Sequence, residues 1–432
     1  MARNRIIYQS EAVYCSQNVA YNAEQTGDRD VMALNRVQSA NYSFNVARQD
    51  INQFGDLAAI DRVITEAPTV SFDTSWYLAN FTNESRCGFF VTQSGMGEGA
   101  AKGNTQLKSC ITNIIDSASN AQQKNWYILT TKEGKDATAQ ATAANYESIV
   151  GIGNAFLTSY SSEAAVGGLP TVSVSVEGQN MNFVNVPISS AAAQAQSPAG
   201  ATVWAGGRGT STAVTYVSGE SPAVNPTDGT KYNTFAVLPK PEENASGAHF
   251  GLISSLRPGD VTLTLAKKTS DAVNTAATGQ AEGMVSPDYA GASISDAHIQ
   301  SYTLGFDLSR TPIQKLGSKF AFARSVDFPI TVSLSIDAVL AELTTGSLAD
   351  IIDCDNSFDA RIALKDPVCG GATKAVVCNY IVKGLKLDSE SYSSDIGSNK
   401  TVTLDFSAQV GGPDQSGQGV FMSGFYNGEG QI

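Results

Sequence analysis

The sequence predicts a mainly β chain made of two tandem modules, and three observations predict it. Residues 37–76 recur at 299–338, shifted by 262 positions with no insertion, and 11 of the 40 positions are identical. Composition alone would give roughly two or three matches. In both repeats, apolar residues alternate with small or polar ones, which is the period of a half-buried strand. Turn signals such as Asn225–Pro226 and Asp228–Gly229 punctuate the chain, and stretches at helical spacing are short.

Arg5–Ile6–Ile7–Tyr8 reads as an opening strand. Tyr42–Phe44–Val46 and Val70–Phe72–Thr74–Trp76 are alternating strands, matched by Leu304–Phe306–Leu308 and Val332–Leu334–Ile336. A slip of one residue would turn every apolar side chain outward, so a shared fold needs this unbroken register. Between the strands lies a loop-like stretch, residues 47–68 and 309–330, of equal length in both repeats. Connections this long are rare in compact domains and are usually functional. Each keeps two Arg and one Gly at fixed spacing: Arg48, Gly55 and Arg62, then Arg310, Gly317 and Arg324. Ile51 and Ile313 are also retained. The expectation is a contact loop reaching a fixed place on a neighbouring subunit, with an edge segment turned by its Gly as the plainer reading.

Charge distinguishes the two loops. Residues 48–66 carry Arg48 and Arg62 against Asp50, Asp56, Asp61 and Glu66, a net of −2, whereas residues 310–328 carry Arg310, Lys315, Lys319 and Arg324 against Asp327, a net of +3. Unlike loops of this kind could select the register between stacked layers.

Leu107, Cys110, Ile111, Ile114 and Ile115 fall at helical spacing, and Leu348, Ile351 and Ile352 suggest a shorter counterpart. A second echo, Ser159–Tyr160–Ser161–Ser162 against Ser391–Tyr392–Ser393–Ser394, precedes the alternating strands Thr171–Val176 and Thr401–Phe406. Residues 179–255 have no echo and read as an inserted, surface-facing β-rich subdomain. Arg257–Pro258–Gly259–Asp260 then introduces strand Val261–Leu265, a weak match to the opening strand. The expected domains are 1–178, 179–255 and 256–432, the outer two each a β-sandwich with a flanking helix.

Charged residues make up 16% of the 432, and the net charge is −13. The low charge content, against roughly 25% in ordinary soluble domains, favours large subunit interfaces. The acidity disfavours sequence-specific nucleic-acid binding, which relies on Lys and Arg at phosphates. No 18-residue apolar window is present, so no membrane partner is expected. Met1–Ala2–Arg3–Asn4–Arg5 leads directly into strand-like sequence, and cytoplasmic synthesis with reduced thiols is expected. Cys354 could pair with Cys369 or Cys378 under oxidising conditions, though nothing requires it.

Candidate chemistry is sparse. His249 and His298 lack a GxSxG serine elbow or an activated cysteine, and Cys and His do not cluster as zinc ligands. Gly95–Gly103 is glycine-rich but lacks the phosphate-loop order. Asp353, Asp355, Ser357 and Asp359 have calcium-loop spacing, with Phe358 and Leu364 where Gly and Glu belong, so a solvated acidic turn is expected. Neither an enzymatic site nor a cofactor is expected.

The strand–long loop–strand repeat resembles the tail tube (major tail) proteins of tailed bacteriophages. Tyr42–Val46, Arg48–Gly55, Pro68–Trp76, their partners at 302–336 and the Gly411–Gly412–Pro413 tail carry the resemblance, over about two thirds of the chain. It implies β-sandwich modules whose strands join those of neighbours into an inner barrel, with long loops reaching adjacent subunits or rings. The fused two-module type implies homotrimeric, pseudo-hexameric rings stacked into a tube that conducts DNA during ejection. The implied partners are other copies of the chain, tail proteins such as the tape measure and terminator, and viral DNA in the lumen without specific binding. The implied location is the virion tail, assembled in the host cytoplasm. A repetitive β-rich surface or adhesive protein, or another virion component such as a capsid decoration protein, is the alternative.

Overall fold

The computed structural model describes residues 10–17, 31–66, 68–93, 108–115, 124–134, 146–178, 180–185, 256–267, 297–313, 316, 323–340, 357–365, 376–394, 396, 399–412, 415 and 417–424. In the first half, the strands are β1 (Glu11–Gln17), β2 (Val31–Ala33), β3 (Val37–Asn45), β4 (Arg48–Ile51), β5 (Asp61–Ile64) and β6 (Thr69–Tyr77). Helix α1 (Thr82–Cys87), β7 (Val91–Gln93) and the single turn α2 (Thr112–Ile115) follow. The half closes with β8 (Lys124–Thr131), β9 (Tyr146–Ala165), β10 (Thr171–Gly178) and β11 (Asn180–Asn185). The second half holds β12 (Val261–Lys267), β13 (Ala297–Asp307), β14 (Arg310–Ile313), β15 (Ala323–Val326) and β16 (Thr331–Leu340). It ends with β17 (Phe358–Lys365), β18 (Val376–Ser393), β19 (Thr401–Gln409) and β20 (Gly419–Gly424). The chain is therefore mainly β, as its alternating sequence predicts.

Ten strands form one antiparallel run, β12–β17–β18–β19–β16–β13–β9–β10–β6–β3. Two of them are long, β9 with 20 residues and β18 with 18, and each serves two sheets. The first part of β9 pairs with β8 and β11, and its last part with β10 and β13. Likewise β18 leaves β17 and β20 to run beside β19. Strands that change sheets through bends and bulges make the corners of a sandwich. Gly384 supplies such a bend in β18: its φ of +79 suits a residue without Cβ, and its N–H donates to Asp359 Oδ1 at 3.0 Å.

Period-two alternation becomes burial directly. In β6, Val70, Phe72, Thr74 and Trp76 point inward while Ser71 and Asp73 face out. β10, β16 and β19 behave the same way, and their apolar faces merge into one core that includes Phe72, Trp126, Tyr160, Phe306, Leu334 and Phe406. Each large aromatic buried there contributes roughly 2–3 kcal/mol of transfer free energy.

Strand registers recur between the halves. β3 pairs with β6 as β13 pairs with β16, each residue number shifted by 262, with a bulge at Gln38 in one and Gln300 in the other. β10 pairs with β6 as β19 pairs with β16, and here the closing strand is shifted by 230. The short ladders β4–β5 and β14–β15 also keep the shift of 262.

Several expectations need correction. Residues 47–68 are not an unstructured loop, because β4 and β5 pair into a hairpin. The helix expected from Leu107 to Ile115 is only the turn α2, and the longer α1 lies upstream. Its sequence, TNESRC, has no apolar period to announce it, and a left-handed Gly88 ends it (φ 102). The serine echo is displaced: β18 is bulged against β19 between Leu387 and Ser389 as β9 is against β10 between Leu157 and Ser159, so Ser391 occupies the place of Ser161. A two-residue slip preserves the faces, which is why sequence alternation did not reveal it. The counterpart of β12 is Glu11–Gln17, since β12 lies on β17 as β1 lies on β8. Of residues 179–255, Asn180–Asn185 form a strand of the sheet, and the rest lie outside the described residues. So do Arg5–Tyr8, Gly95–Gly103, Leu107, His249, Leu348, Ile351, Ile352, Asp353, Cys354, Asp355 and Cys369.

Candidate assembly surface

The two halves meet through a strand pair. β13 lies antiparallel on the last part of β9, with Phe306 opposite Tyr160, Leu304 opposite Ser162 and Gly305 opposite Ser161. Phe306 and Tyr160 stack with ring centroids 5.3 Å apart, and Phe89 meets both edge-on. The Tyr160 and Tyr380 hydroxyls are 2.7 Å apart, so this seam also reaches β18. Phe306 is 4% exposed.

Strand β3 occupies in the first half the place that β13 has in the second, but no described strand covers its outer edge. Its inward stripe is consequently open: Tyr42 is 38% and Phe44 61% exposed. Residues 386–393 of β18 pair with β19, no other described strand lies beside them, and Tyr392 is 43% exposed. The Tyr392 hydroxyl donates to the Glu390 carboxylate, and Lys400 Nζ lies 5.1 Å from the ring centroid. Burial pushes the Glu390 carboxyl above its usual range.

The candidate loop residues separate into two settings. In the first hairpin, Arg48, Ile51, Gly55 and Arg62 are all exposed, and Arg62 Nε is 2.6 Å from Asp50 Oδ1. Gly55, with φ +99 and open space around it, makes the turn. Phe54 (108%) and Leu57 (110%) stand fully in solvent at the tip. A two-stranded hairpin with an apolar tip is marginal unless something packs on it. The second hairpin is anchored at its base. Arg324 is buried and its Nη1 lies 2.6 Å from Glu177 Oε1 on β10. Arg310 donates to the Arg324 carbonyl at 2.9 Å and sits 4.7 Å over the Phe156 ring. Burial, then the neighbouring Arg324 charge, pulls Arg310 down to about 10. Ile313 and Leu316 are exposed. Lys315, Gly317 and Lys319 lie outside the described residues. The base of the second hairpin is thus anchored within the chain by Arg324 and Arg310.

The polar face of the sheet is paved with hydroxyls and fixed carboxylates, which sequence reading did not single out. Ser175 donates to Asp73 at 2.7 Å, and Thr171 to Glu163 at 3.0 Å. Asp337 accepts from Ser301 at 2.8 Å and Thr403 at 2.6 Å. Asp405 accepts from Ser389 and Ser335, each at 2.7 Å, and these bonds lower its pKa. Alternation of Ser with Asp on neighbouring strands was the available signal, but only the register brings donor to acceptor.

A buried polar group sits behind the seam. Trp76 Nε1 donates to Glu84 Oε1 at 3.0 Å, and burial raises the Glu84 carboxyl to about 7. Cys15, Cys87, Cys110 and Cys378 are buried thiols. Asp359, expected in a solvated turn, is a buried β17 residue held by Gly384. His298 lies in β13 opposite Val339. Among the described residues, no helix is long and apolar enough to cross a membrane.

No protein-family model matches the sequence, and no curated protein matches it either. Among solved structures, the chain is similar to one from the anti-feeding prophage baseplate (cryo-EM, 6-fold symmetrised), at 12% identity and TM-score 0.24, covering 38% of this chain and 92% of that one. It is also similar to an Hcp protein crystal structure at 5% identity and TM-score 0.18, covering 38% of this chain and 98% of that one.

Proposed function

We propose that this chain is a structural virion protein whose copies close into rings, and that the rings stack as a phage tail tube conducting DNA. The observation that carries this reading is the half-to-half seam. β13 of the second half already completes β9, the long strand of the first, and among the described residues no strand lies on the outer edge of the equivalent β3 or beside the last part of β18 opposite β19. A head-to-tail contact of this kind closes into a ring when its rotation allows. Closure also removes open strand edges, which otherwise invite uncontrolled pairing.

Each chain contributes eight strands to such a ring, from β18 through β3. The sequence resemblance puts three chains in it, six similar modules around one bore. The hydroxyl-paved face with Asp73, Asp337 and Asp405 lines that bore. Fixed carboxylates there repel phosphates and offer no counterion release, so DNA slides rather than binds. The apolar hairpin tips, Phe54 and Leu57, pack on the next ring. The role is assembly rather than catalysis.

Electron microscopy of the purified chain tests the reading. Hollow rings or tubes with threefold to sixfold appearance are expected. A monodisperse single chain at micromolar concentration would contradict it.

A further inference from the structure

The seam inside the chain is a template for the seam between copies, and it fixes a register. β3 and β13 stand in the same register against their inner neighbours, 262 residues apart. β9 and β18 share a bulge against theirs, 230 residues apart. Applying these two shifts to the observed β13–β9 pairs gives a definite set of partners. We propose that β3 of one copy pairs antiparallel with residues 389–394 of a second copy, placing Tyr42 opposite Tyr392 and Ser43 opposite Ser391. This rests on the ring reading above and names the contact that closes the ring.

Exposure agrees with that register. Tyr42, Phe44 and Tyr392 are the apolar residues left open on these two strands, while Leu304 and Phe306, at the positions of Tyr42 and Phe44, are buried under β9. The aromatic pair moves along the ladder by two residues. Within the chain Phe306 meets Tyr160; between copies the tyrosines meet where Leu304 and Ser162 do. Phe44 then lies opposite Glu390, whose carboxylate already holds the Tyr392 hydroxyl.

The two seams differ at the hairpin base. Inside the chain, Arg324 meets Glu177 and Arg310 covers Phe156. At the copy-to-copy seam the arginines remain, as Arg62 and Arg48, but the shift of 230 turns Glu177 into Ser407 and Phe156 into Lys386. Arg62 takes its carboxylate from Asp50 of its own hairpin instead. The seam between copies therefore lacks the ion pair and sets Arg48 near Lys386. It depends on strand pairing and the tyrosines, and rings come apart between copies before chains come apart within.

The serine echo at 391–394 offers a rival register, shifted by two residues, in which Ser43 faces Ser393. Two full-length double variants separate the two: Ser43→Cys with Ser391→Cys, and Ser43→Cys with Ser393→Cys. All substituted positions are exposed, and the parent chain with its native cysteines gives the background. After diamide oxidation, chain-to-chain crosslinks on a denaturing, non-reducing gel are expected at least tenfold more in the first variant. Equal or greater crosslinking in the second overturns the register, as does none in the first when microscopy shows rings. Absence of rings in the parent chain overturns both the register and the ring reading.

Discussion

Arg324 Nη1 and Glu177 Oε1 lie 2.6 Å apart, and this pair ties the hairpin of the chain's second half to strand β10 of its first. Arg324 is buried and Glu177 is partly open to solvent, so the arginine is the more dependent partner. Replacing Glu177 with Gln removes the compensating charge and leaves a desolvated guanidinium. The expected cost is about 2 kcal/mol, below that of a fully buried pair because solvent reaches the carboxylate. Thermal unfolding should show the midpoint fall by a few degrees.

The copy-to-copy seam has Ser407 where this carboxylate would be. Arg62 already holds Asp50 of its own hairpin, and Ser407→Glu gives it a second carboxylate, on the neighbouring copy. Rings of this variant should resist dilution better than the parent. Sedimentation over a concentration series would show dissociation moving at least severalfold lower in concentration, and an unchanged curve would argue against the seam.

Tyr42→Ser combined with Phe44→Ser removes the open stripe of β3. Both side chains are exposed in the single chain, so its melting midpoint should change little. Assembly should be lost. A variant that still assembles normally would show that β3 is not at the interface.

Glu84 gives the chain a pH dependence of definite sign. Burial raises its pKa from 4.5 to about 7 in the folded state, so the unfolded chain releases this proton more readily. The contribution to stability is fully present below about pH 4.5, declines above it, and is gone once pH passes about 7, a change of about 3 kcal/mol. Glu84→Gln should flatten that window in thermal melts taken between pH 4.5 and 7.5. A parent chain already flat there would mean that Glu84 ionises normally.

The strands were legible because alternation maps directly onto burial, as in Val70–Phe72–Thr74–Trp76. The shift of 262 was legible because the hairpin and its flanking strands gained and lost no positions, down to the bulge at Gln38 and Gln300. The shift of 230 is legible in the closing strands Thr171–Val176 and Thr401–Phe406, but the serine echo reads as 232, since both values keep Ser outward and neither disturbs the period. α1 was missed because five polar residues and one Cys carry no helical stripe; buried contacts hold it, with Phe81 just before it packed against Tyr380. In sequence the two hairpins differ in charge, −2 against +3, but not in how they are anchored. The difference in anchoring rests on Glu177 and Phe156, which lie over 140 residues upstream of Arg324 and Arg310, beyond any local pattern.

The most direct test of the whole account is the mass of the smallest closed particle the purified chain forms, measured by native mass spectrometry. Three chains per ring is the predicted result, six modules closed by three copies of the β3–β18 seam. A single chain that never associates, or closed rings of six chains, would contradict it.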